Sequence, residues 1–191
     1  MVRDVRAELP PDEAALQAAA LAHLARYATT RAGLVRVLDR RVERWVRGAA
    51  GQEVVAERAV AAKQLVRQVV ARLVEAGVVS DAAFAESRAR RLLRAGHSRR
   101  AVAAHLAGRG VASETAETVL PEAPEVELAA ALALARRRRL GPFRAAPQDA
   151  AGKRRELGVL ARAGFPQRIA EQALATDLET AQAIIRRLRA S

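Results

Sequence analysis

The 191-residue chain carries 33 Lys+Arg against 21 Asp+Glu, a formal net charge of +12, and no cysteine. The missing cysteine excludes disulfides, thiolate nucleophiles and Cys-bearing metal sites together, and points to a cytoplasmic protein. A hydrophobic fraction of 51% excludes wholesale disorder, while 47 alanines and only 3% aromatics predict a thin core of Leu, Val and Ala on helices. No apolar run approaches the roughly 20 residues of a membrane span.

Residues 1–11 mix charges with prolines, lack an apolar signal core and read as a disordered lead-in. Asp12 is placed to cap a first helix, on which Leu16, Ala20, Leu24 and Tyr27 recur at helical spacing and face inward. Thr29 and Thr30 interrupt it and cap a second, with Leu34, Leu38, Val42 and Trp45 on one face. After a turn at Gly48–Gly51, a long third helix buries Leu65, Val66, Val69, Val70 and Leu73 and ends at Gly77.

The middle of the chain repeats this plan in shorter form. Ser80 caps a helix holding Phe84, Ala85, Leu92 and Leu93, which ends at Gly96. Ser98 caps the next, with Val102 and Leu106 inward, to Gly110, and Ser113 caps a third, ended by Pro121 and Pro124. The last third opens with Val126, Ala129, Ala130 and Ala133 on a helix that stops near Gly141-Pro142. Asp149 starts a second helix running to Gly164, and Pro166 opens a third. Thr176 and Glu179 stand at capping-box spacing before a final helix bearing Ile184, Ile185 and Leu188.

An internal repeat supports this division. Ala101–Leu120 and Arg155–Leu174 match at six of twenty positions, among them Leu106/Leu160, Gly110/Gly164 and Leu120/Leu174. The first third joins through Thr30/Ser98, Arg31/Arg99, Leu38/Leu106 and Arg41/Arg109. The predicted fold is all-α: an elongated array of three tandem three-helix repeats at 12–78, 79–123 and 124–176, with 177–191 a C-terminal helix or tail.

No catalytic constellation emerges. His23, His97 and His105 fall on different elements, without a metal-ligand spacing, and the carboxylates are scattered, so neither catalytic residues, metal nor cofactor are expected. The charge is more informative. A GC-rich genome favours Ala and Arg codons, yet it does not dictate where the arginines sit. Ser87–Ala112 holds seven arginines and no acid, and Leu128–Gln148 holds five more, again with no acid. The first group comprises Arg88, Arg90, Arg91 and Arg94 on one helix, with Arg99, Arg100 and Arg109 at the two ends of the next. Arg99 and Arg100 would oppose the positive end of their helix dipole, which suggests recruitment for a partner. The second group is the run Arg136, Arg137, Arg138 and Arg139 in a last helical turn, continued through Arg144 by Lys153, Arg154 and Arg155. With few aromatics interleaved (Phe84 core, Phe143 in a loop), base stacking is poorly supported.

The stretch SDAAFAESRARRLLRAGHSRRAVAAHLAGRGV, Ser80–Val111, resembles the central repeat of the RecX family of recombination regulators. Asp81, Phe84, Ala85, Arg88, Gly96, Arg99, Arg100, Leu106, Gly110 and Val111 fit the family pattern as they stand. Upstream LVRQVVARLVEAGVVSD and downstream LARAGFPQRIAEQAL extend the similarity over about Ala14 to Leu174. Between Val42 and Ala62 the chain is longer than compact family members.

The resemblance implies a non-enzymatic regulator of recombination, DNA repair and the SOS response. Such a protein, as a monomer, lodges in the helical groove of the RecA–DNA filament and suppresses its ATPase and strand exchange. The two arginine groups would then meet RecA carboxylates and DNA phosphate through several modest, bidentate-capable contacts. Two other readings stay open: a stand-alone helical DNA-binding regulator, and a helical adaptor unrelated to DNA.

Overall fold

The computed structural model describes residues 9–49, 55–120, 122–146 and 149–190. These form ten α-helices and one 3-10 turn, with no strand among the described residues. Residues 1–8 of the expected lead-in, Ala50 and Gly51 of the expected turn, and Pro121 lie outside them. The chain divides into two compact units: one runs through Phe84 and takes in Arg109–Val111, and the other comprises Ala85–Gly108 and Ala112 onward.

The first unit is built on α1 (Glu13–Leu24), α2 (Arg31–Gly48) and α3 (Val55–Glu75). Leu16 and Ala20, Leu34, Leu38 and Val42, and Val66, Val69, Val70 and Leu73 recur at three- and four-residue intervals, so each helix turns one apolar face into a shared core. Asp12 and Thr30 accept the N–H groups of Ala15 (2.8 Å) and Gly33 (2.9 Å), satisfying donors that the first turns of α1 and α2 leave open. Arg72 pairs with Glu13 at 2.6 Å, but both side chains are about half exposed, so solvent screening holds the contribution to about 1 kcal/mol or less.

Two expected core aromatics behave differently. α1 ends at Leu24, so Tyr27 lies past the helix whose spacing seemed to bury it; it is 57% exposed, beside the His23 ring and the Arg26 guanidinium. Trp45 does pack against the core, although its buried Nε1 has no hydrogen-bond acceptor.

The second unit contains most of α4 (Asp81–Arg94), α5 (Arg99–Gly108), α6 (Ser113–Val119) and α7 (Pro124–Arg138). It continues through the 3-10 turn Gly141–Phe143, α8 (Ala150–Arg162), α9 (Gln167–Ala175) and α10 (Leu178–Ala190). Its centre is α7, buried at eight consecutive residues from Leu128 to Ala135. A helix apolar on every side must be surrounded, and its alanines let α9 and α10 approach closely. Leu160, Phe165, Ile169, Ala173, Ala181 and Ile185 complete this core.

Five local expectations are corrected here. Ala112, not Ser113, occupies the N-cap of α6, and no side chain caps it. The cap of α10 is Asp177, whose carboxylate accepts the Thr180 N–H at 2.9 Å, while the Thr176 hydroxyl turns back to the Gln172 carbonyl at 2.7 Å. Pro166 is the N-cap of α9 rather than its first helical residue. Phe143, expected in a loop, closes the 3-10 turn and packs on the core, and Phe84 is only half-buried.

A recurring seam follows from the repeat. In the first unit the buried Thr30 caps α2 and donates its hydroxyl to the Arg109 carbonyl at 2.7 Å, while Asp81 accepts the Arg31 N–H at 2.7 Å. In the second unit the buried Ser98 caps α5 and donates to the Ala163 carbonyl at 2.7 Å, while Glu127 accepts the Arg99 N–H at 2.9 Å. The acceptor carbonyls precede Gly110 (φ +84°) and Gly164 (φ +88°). A Cβ there would come within 2.5 Å of Ala32 Cβ and 2.8 Å of Ser98 Oγ, so both positive φ and close approach demand glycine.

Candidate polyanion-binding surface

Arg90, Arg91 and Arg94 project from α4 into solvent with no carboxylate of the described residues within ion-pair distance. Arg88, on the same helix, is half-buried and donates from Nε to His105 Nε2 of α5 at 2.9 Å. Arg88 therefore anchors α4 to α5, whereas its three neighbours face outward.

Arg99 and Arg100 are adjacent yet differently employed. Arg99 is half-buried: its Nε donates to the Leu120 carbonyl at 2.7 Å, and its backbone N–H is held by both oxygens of Glu127. The carboxylate, not a ligand, thus answers the positive end of the α5 dipole. Burial raises the Glu127 carboxyl above its ordinary value, against the opposing pull of the Arg99 N–H and guanidinium. Arg100 is exposed and has no such partner. Arg109 belongs to the first unit, with its side chain exposed.

The four arginines 136–139 are all exposed. Arg136, Arg137 and Arg138 lie in the last turn of α7, where cations suit the dipole. Arg139 ends the helix in the left-handed conformation at φ 57°, which costs about 1 kcal/mol for a non-glycine residue. Arg137 Nη1 is partly committed to the Ala95 carbonyl at 3.0 Å. Lys153, Arg154 and Arg155 are exposed in the first turns of α8. Arg144 leaves the basic stretch: it pairs at 2.9 Å with buried Glu156, which also accepts the Gly141 N–H at 3.0 Å.

Sequence reasoning missed Glu127 and Glu156. A signal existed for Glu156, which shares with Gly152 and Leu160 the four-residue row that α8 turns inward. Glu127 gave none, because its partner lies 28 residues away. No group of three or more His, Cys, Asp or Glu among the described residues is arranged to hold a metal ion. No helix of the described residues is long and apolar enough to cross a membrane.

The fold and this surface define a class: an all-helical protein of recurring three-helix segments that presents unpaired arginines. The profile described as RecX, second three-helix domain, matches residues 80–120, which span α4 to α6. The chain is 40% identical over 162 residues to the regulatory protein RecX of Myxococcus xanthus, covering 83% of each chain. It is 37% identical over 107 residues to the regulatory protein RecX of Agrobacterium fabrum, covering 56% of this chain and 57% of that one. The chain belongs to the RecX family. No solved structure matches it significantly.

Proposed function

We propose that this chain is a non-enzymatic, monomeric, cytoplasmic modulator of homologous recombination. It binds the RecA–DNA filament along its helical groove and inhibits ATP hydrolysis and strand exchange. The observation that carries the reading is the set of exposed arginines Arg90, Arg91, Arg94 and Arg100 within the family-matched segment, none paired with a carboxylate of the described residues. Like charges at four-residue spacing, as in Arg90 and Arg94, cost a helix a few tenths of a kcal/mol, and an external anion offsets that cost.

Arg136–Arg139 with Lys153, Arg154 and Arg155 form the second contact group, and Arg109, in the first unit, makes a contact of its own. Arg88 and Arg99 support the surface through their internal bonds. The division into three repeats at 12–78, 79–123 and 124–176 belongs to the same proposal, and the twice-used seam supports it. The test is Arg90→Glu/Arg94→Glu/Arg100→Glu in an assay of RecA's DNA-dependent ATPase. Inhibition should weaken by about tenfold or more, since each lost charged contact costs roughly 1 kcal/mol. Undiminished potency with an unchanged circular dichroism spectrum would refute the assignment.

A further inference from the structure

α2 carries six arginines against two carboxylates, an excess hidden when the whole first third of the chain is counted together. Arg36, Arg40, Arg44 and Arg47 recur at intervals of four, four and three residues, opposite the Leu34, Leu38 and Val42 face, and all four are exposed. They form a row about 16 Å long, at 1.5 Å per residue. Arg36 Nη2 donates to the Arg109 carbonyl at 3.3 Å, so the loop bearing exposed Arg109 lies at the near end of this row. Both are in the first unit.

No carboxylate of the described residues neutralises this charge. None of these arginines is within ion-pair distance of a carboxylate of the described residues; Arg44 gives its Nε to the Arg40 carbonyl one turn back. Glu43 shares the face without an ion pair. Arginines stacked at i and i+4 repel, so the helix carries a cost with no internal return.

The character of the face selects the ligand. No large apolar residue of α2 is exposed, so this face offers contact through charge alone, which suits a phosphate backbone. α2 itself presents no aromatic for stacking, since Trp45 packs inward, which disfavours single strands on this row. A duplex carries one phosphate per about 3.4 Å of axis on each strand, so the row spans about five phosphates of one strand, enough for each guanidinium to find one.

We infer that the α2 row of Arg36, Arg40, Arg44 and Arg47, extended by Arg109, is a docking site for the phosphate backbone of a nucleic-acid duplex. The site operates on naked duplex and does not depend on the filament reading.

The test is a fluorescence-anisotropy titration of the full chain on a labelled 30-base-pair DNA duplex and on one of its single strands, without RecA, over a series of salt concentrations. Arg40→Gln/Arg44→Gln/Arg47→Gln should weaken duplex binding about tenfold or more at low salt and flatten the dependence of log K on log salt by about 0.9 per arginine removed. Glu43→Gln should tighten binding, an effect no structural role of that side chain would produce. Absent duplex binding, an unchanged slope in a folded triple variant, or tighter row-dependent binding to the single strand would overturn the inference. So would an equal loss from Arg58→Gln/Lys63→Gln/Arg67→Gln on α3, which would mark a diffuse charge effect.

Discussion

The two seams share one design but sit in different surroundings. At the first, Asp81 receives the Arg31 N–H at an exposed site, and the Arg31 side chain is left in solvent. At the second, Glu127 receives the Arg99 N–H at a part-buried site, and the Arg99 side chain folds back onto the Leu120 carbonyl. The same hydroxyl, carboxylate and glycine therefore do not imply the same energetics. Desolvation makes Glu127 a titrating element of the second seam, and the interior claims an arginine that the first seam leaves free.

Substitutions at matched positions sharpen this comparison. The largest loss is expected for Gly110→Ala and Gly164→Ala. Each combines left-handed strain with overpacking, for about 2–4 kcal/mol, and thermal denaturation should show a fall of similar size at both. Were only one to lose stability, the seams would not be equivalent. Thr30→Val and Ser98→Ala each remove a cap and a buried donor, for about 1–3 kcal/mol by chemical denaturation.

Glu127→Gln is expected to have a smaller, pH-dependent effect. The Glu127 carboxyl is raised in the folded protein, so the fold binds a proton that the unfolded chain has already released above its ordinary value of 4.5. Stability from this group is present at acid pH and is lost as pH rises through the raised value. The melting temperature of Glu127→Gln relative to the unaltered chain should therefore climb across that window; a gap independent of pH would refute the desolvation argument. Asp177 has the opposite sign. The Thr180 N–H lowers its carboxyl, so its contribution is lost as pH falls through the lowered value, and Asp177→Asn should flatten that acid limb slightly.

Much of this architecture was legible in the chain. Asp12, Thr30, Ser80, Ser98 and Asp149 all cap helices, as their placement before apolar periodic runs indicated. The alignment of Thr30 with Ser98 and of Gly110 with Gly164 already held the seam, because each pair performs one local task that only those residue types can perform. Tyr27 misled because periodicity continues past a helix end that the following threonines impose. Thr176 misled because its neighbour Asp177 is the stronger acceptor for the α10 first turn.

The surface was legible only in part. Composition located the arginines, but neighbours such as Arg99 and Arg100 are indistinguishable until the Leu120 carbonyl and Glu127 are brought up by other helices. Averaging over the first third masked the α2 row, since acids on other segments of that stretch balance the count.

The central claim is that the unpaired arginines of α4 and α5 recognise a RecA-coated filament. It is tested most directly by comparing the affinity of the full chain for RecA-coated and naked DNA at two salt concentrations, with Arg90→Glu/Arg94→Glu/Arg100→Glu alongside. The account predicts tighter binding to the coated DNA at both salts, with that advantage lost in the triple variant. Equal affinity for coated and naked DNA, falling together as salt rises, would contradict it.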